Sequence, residues 1–70
     1  MTATIYLKEV ARNIIVENFS SVKFSNGTTS RNIKPDNLEN FSLHKSIAYI
    51  FFGKTTVAVS GSDILYVEFK

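Results

Sequence analysis

A chain of 70 residues with no cysteine can hold neither a disulfide nor a Cys-ligated zinc ion. A domain of this size buries only about 60% of the surface its unfolded chain exposes, so either a dense core or self-association must stabilise it. The net charge of +2 is spread along the chain and forms no basic tract of the kind that marks a nucleic-acid footprint.

The N-terminal stretch, residues 4–19, supports two readings. Leu7, Val10, Ala11, Ile14 and Ile15 fall at helical spacing, which would give an N-terminal helix at about 5–18 and an α+β fold. Read with period two, Ile5-Tyr6-Leu7 and Ile14-Ile15-Val16 are short strands about a turn at Arg12-Asn13. The β-branched triplet Ile14-Ile15-Val16 is stiff at χ1 and disfavours helix, so two strands are preferred.

Next, Val22 to Ser25, Asn26-Gly27 and Thr28 to Ile33 predict a β-hairpin, because Asn-Gly is the strongest short hairpin signal. After Pro35, Asp36-Asn37-Leu38-Glu39 resembles a capping box and predicts one helical turn near residues 36–41. The last third reads as three strands. Ile47 to Phe52 ends at Gly53-Lys54, Thr55 to Val59 ends at Ser60-Gly61-Ser62-Asp63, and Ile64 to Phe69 completes a meander.

Turn lengths set the faces of that meander. A two-residue Gly53-Lys54 turn places Ile50 opposite Val57, and a three-residue Gly61-Ser62-Asp63 turn places Val59 opposite Leu65 and Val57 opposite Val67. This second register is chosen because it keeps Glu68 off the core face. The core face then carries Ala48, Ile50, Phe52, Val57, Val59, Leu65, Val67 and Phe69. The reverse face carries Tyr49, Phe51 and Tyr66, which become the candidate partner-binding residues.

Catalytic chemistry has little to draw on. His44 is the one imidazole and alternation from Phe41 and Leu43 turns it outward, the six carboxylates form no motif, and Gly27, Gly53 and Gly61 stand singly in turns. The chain reads as a non-enzyme with no cofactor and no metal site. No apolar run exceeds six residues and no basic leader precedes one, so the expectation is a cytoplasmic protein without a membrane anchor. Protein partners or self-association are expected. Nucleic acid is the alternative, since small barrels stack bases on sheet aromatics.

The segments IKPDNLENFSLH (Ile33 to His44) and VSGSDILYVEF (Val59 to Phe69) resemble small prophage-encoded proteins of lactic acid bacteria and related low-GC Gram-positive bacteria. That resemblance implies a phage-derived accessory or structural protein, in the host cytoplasm or within a particle, and carries over no functional residue. A fainter likeness is to the Sm-like barrel, through Val22-Lys23-Phe24-Ser25-Asn26-Gly27 followed by a meander. Arg31-Asn32-Ile33 stands where that pattern carries Gly. The expected fold is one all-β, mainly antiparallel domain spanning 1–70, a small barrel or two-layer sandwich.

Overall fold

The computed structural model describes residues 1–25 and 27–70, so the Asn26 half of the predicted Asn26-Gly27 turn lies outside the described residues. Among the described residues seven strands form: β1 (Ala3–Leu7), β2 (Asn13–Val16), β3 (Ser21–Ser25), β4 (Ser30–Ile33), β5 (Ala48–Phe52), β6 (Thr56–Ser60) and β7 (Ile64–Phe69). They make two antiparallel sheets, one ordered β2-β1-β7 and the other β4-β3-β5-β6. The all-β class is as the sequence predicts. The architecture is two packed sheets and not a closed barrel.

The N-terminal stretch is the strand pair, with Ala3 opposite Val16 and Tyr6 opposite Asn13, and the helical alternative is excluded. Asn13 opens β2, so the turn occupies residues 8–12 and not Arg12-Asn13. The β3–β4 hairpin also forms, with Val22 opposite Ile33. Its last pair is Ser25 with Ser30, so Thr28 and Thr29 belong to the connection and not to a strand. A 3-10 segment, Pro35–Asn40, occupies the predicted helical turn. It is not started by a capping box: Lys34 is the N-cap and makes no side-chain cap bond, while Pro35, which needs no backbone partner for its nitrogen, sets the first turn. Leu38 and Phe41 pack down from this segment onto the core.

Two pairings at the C-terminus differ from expectation. In the β5–β6 hairpin Phe52 opposes Thr56, Phe51 opposes Val57 and Tyr49 opposes Val59, one residue from the predicted register. The connection is three residues long, Gly53 to Thr55, not two. A slip of one residue exchanges the faces of a strand. Tyr49 and Phe51 therefore turn inward with no exposed surface, and Ala48, Ile50 and Phe52 turn outward. Two contacts with the Glu17 carbonyl fix this choice. Lys54 N–H donates to the Glu17 carbonyl at 2.7 Å, and a Cβ on Gly53 would lie 2.5 Å from that same oxygen.

The second difference is larger. β6 and β7 do not pair, so the expected contacts of Val59 with Leu65 and Val57 with Val67 are absent. The 3-10 turn Gly61–Asp63 carries the chain out of one sheet, and β7 pairs with β1 in the other, Ala3 opposite Phe69 and Ile5 opposite Val67. The phase predicted for β7 survives in part: Val67 and Phe69 face inward, whereas Leu65, assigned to the core, is 57% exposed. The cause is a bulge. Tyr6 pairs with Tyr66 but Leu7 pairs with Ile64, so Leu65 is the extra residue and Ile64 is buried in its place.

The core fills the space between the sheets. Ala3, Ile5, Val16, Val22, Tyr49 and Phe51 are fully buried within it. Phe41 is its hub, with ring centroids 5.6 Å from Tyr49, 5.7 Å from Phe69, 6.2 Å from Phe24 and 6.4 Å from Phe51. These are edge-on contacts, an arrangement that aromatic quadrupoles favour.

Candidate functional site

The structure separates the three predicted site residues. Tyr49 and Phe51 are core residues and cannot meet a partner, which corrects their assignment; the one-residue change in hairpin register is the reason. Tyr49 is moreover committed to the fold. Its hydroxyl donates to the Ser42 carbonyl at 2.8 Å and accepts from the His44 N–H at 2.9 Å, so a buried phenol has both roles filled. Tyr66 remains at the surface, 50% exposed.

Its neighbour is one that the sequence reading did not assign. Tyr6 on β1 lies directly opposite Tyr66 on β7, and the rings stack with centroids 4.4 Å apart and planes 21° from parallel. Alternation explains the placement: Ala3 and Ile5 point into the core, so Thr4 and Tyr6 point away from it. On β2, Ile14 packs on the core and Ile15 is 58% exposed on the same outer side as Thr4, its partner. Leu65 projects beside the stack because the bulge frees it from the ladder. The outer face of the β2-β1-β7 sheet thus shows two stacked phenols flanked by Ile15 and Leu65.

The polar groups of this face are acidic and basic in turn. The Tyr6 hydroxyl donates to Glu68 Oε1 at 3.4 Å, and Lys70 Nζ lies 3.9 Å from the same oxygen. Desolvation, and then the negative charge of Glu68, push the Tyr6 hydroxyl above its ordinary value of 10.0. Tyr6 therefore stays a protonated donor across the physiological range.

Two depressions lie elsewhere. An open cleft of about 410 Å³ is lined by Lys8, Glu9 and Val10 from the β1–β2 connection and by Val59, Ser62 and Asp63. A shallower groove of about 250 Å³, mostly apolar, runs over Lys23, Ser25, Ala48 and Ile50 on the outer side of the four-stranded sheet. No group of three or more His, Asp or Glu is placed to hold a metal ion among the described residues. His44 is exposed, with Nε2 3.1 Å from Ser42 Oγ. Among the described residues no helix is long and apolar enough to cross a membrane. No protein-family model matches the chain, and neither a curated protein nor a solved structure matches it significantly.

Proposed function

We propose that this chain is a non-catalytic binding or assembly protein that meets a protein partner through the outer face of the β2-β1-β7 sheet. The observation that carries the reading is the exposure of Ile15, Leu65 and Tyr66 at 58%, 57% and 50%, gathered around the Tyr6–Tyr66 stack. Large apolar side chains grouped on one solvent face, with aromatic rings among them, have the composition of an interface centre. Ring pairs already stacked are immobilised in advance, so little side-chain entropy is lost on contact. The likeness of the 33–44 and 59–69 segments to prophage proteins suits an accessory or structural role of this kind, in the host cell or within a particle.

Nucleic acid is the second reading, and the Tyr6–Tyr66 stack is what favours it, since phenol faces accept bases. Glu68 beneath Tyr6 counts against it, because a carboxylate there repels phosphate.

The test compares the wild-type protein with Leu65→Ser/Tyr66→Ser. Both positions are at least half exposed, so the double variant should keep its fold, losing about 1 kcal/mol through the broken ring pair. Affinity for a captured protein partner should fall by roughly tenfold or more, the loss expected of an interface anchor. Unchanged affinity removes the proposal. Binding to single-stranded oligonucleotides that weakens steeply with salt would transfer the site to the nucleic-acid reading.

A further inference from the structure

An antiparallel ladder alternates residues that bond to one neighbour with residues that bond to the other. For β6 the phase is given by the bonds at its two ends: Gly53 N–H donates to the Thr55 carbonyl and Gly61 N–H donates to the Ile47 carbonyl. Counting inward from either end, Val57 and Val59 exchange bonds with Phe51 and Tyr49 of β5. On the far side of β5 the Phe52 carbonyl accepts from Ser20 N–H, which agrees with this phase. The N–H and C=O groups of Thr56, Ala58 and Ser60 therefore point away from the sheet, and β6 is bonded on one side only. The Ser60 carbonyl also opens the Gly61–Asp63 3-10 turn and keeps its second lone pair outward; among the described residues no backbone group outside the ladder and this turn reaches the others.

Exposed strand edges are ordinarily protected by charge, proline or a bulge. β7 has its bulge and Glu68, β4 carries Arg31, and the four residues of β2 sit between Arg12 and Glu17. β6, reading Thr-Val-Ala-Val-Ser, has none of these, and Thr56, Ala58 and Ser60 are exposed.

From this edge we infer that β6 pairs with β6 of a second copy of this chain about a two-fold axis at Ala58. The strand is self-complementary in the sense that such an axis requires. Ala58 would exchange bonds with Ala58 of the second copy, and Thr56 with Ser60. The side chains brought together on the outer face are a methyl, a hydroxyl and a small β-branched group, which meet without steric conflict. The same operation carries Lys54, just before β6, to the Ser62–Asp63 end of the other copy. Lys54 and Asp63 are both exposed, so each dimer gains two opposite-charge approaches that fix the register. The result is one continuous eight-stranded sheet built from two four-stranded ones. This surface is separate from the Tyr6–Tyr66 face and does not depend on its use.

A five-residue edge buries less than the roughly 1,200 Å² of a standard stable interface, so the dimer is weak and concentration-dependent. Sedimentation of the purified chain over a wide concentration range, with amide hydrogen exchange at each end of it, tests this. The mass should rise from monomer to dimer, and the Thr56, Ala58 and Ser60 amides should become protected as it does, while Val57 and Val59 are protected throughout. Ala58→Lys, which sets two like charges across the axis, should hold the protein monomeric. Ala58→Pro should do the same while leaving the β5–β6 ladder intact, since it removes an outward donor only. Lys54→Glu should weaken the dimer and Lys54→Glu/Asp63→Lys should restore it. A monomer at every concentration overturns the inference. So does a dimer that survives both Ala58 variants, or protection of the three outward amides only when an unrelated protein is added.

Discussion

Tyr49 shows how one side chain ties sequence, core and loop together. Its ring is fully buried between Phe24 and Phe41, and its hydroxyl joins β5 to the Ser42–His44 loop through one donated and one accepted bond. Tyr49→Phe keeps the ring contacts but leaves the Ser42 carbonyl and His44 N–H without that partner. Such a change costs about 1–3 kcal/mol, read as a lower denaturation midpoint at unchanged slope. An unchanged midpoint would mean that water replaces the hydroxyl freely. Tyr66 was legible as a surface ring from alternation along β7. Tyr6 was not, because its significance rests on a pairing between the two ends of the chain that no local pattern announces.

At the level of elements, local signals were read well and connections poorly. β-branched and aromatic runs marked β5, β6 and β7, the Asn26-Gly27 signal marked the β3–β4 hairpin, and Ile14-Ile15-Val16 decided strand over helix for β2. What failed was loop length: one added residue in the Gly53–Thr55 connection exchanged the faces of β5. The Ser60–Asp63 segment has the composition of a hairpin turn, yet it acts as a crossover. Gly61 explains why. Its N–H donates to the Ile47 carbonyl, and a Cβ there would collide with the His44 carbonyl oxygen and lie 2.6 Å from that of Ile47. The turn is therefore pinned against the 44–47 loop, which aims β7 at β1 instead of back along β6. Gly61→Ala should cost about 1–3 kcal/mol through forced backbone movement. Thermal unfolding checks it: a midpoint equal to that of the wild-type protein would show that the loop yields and that Gly61 does not direct the crossover.

For the whole molecule, the two sheets divide the work. Their inner faces form one core around Phe41, the β2-β1-β7 sheet turns an aromatic face to solvent, and the β4-β3-β5-β6 sheet ends in an unprotected edge. The binding proposal needs Tyr66 and Leu65 outside and Tyr49 and Phe51 inside, an arrangement opposite for Tyr49, Phe51 and Leu65 to that expected from turn lengths alone. Hydroxyl-radical footprinting of the native protein, mapped by mass spectrometry, reads all four side chains at once. Tyr66 and Leu65 should be labelled readily, and Tyr49 and Phe51 should be protected until the protein unfolds. Labelling of Tyr49 and Phe51 at rates matching Tyr66 in the native state would contradict the account.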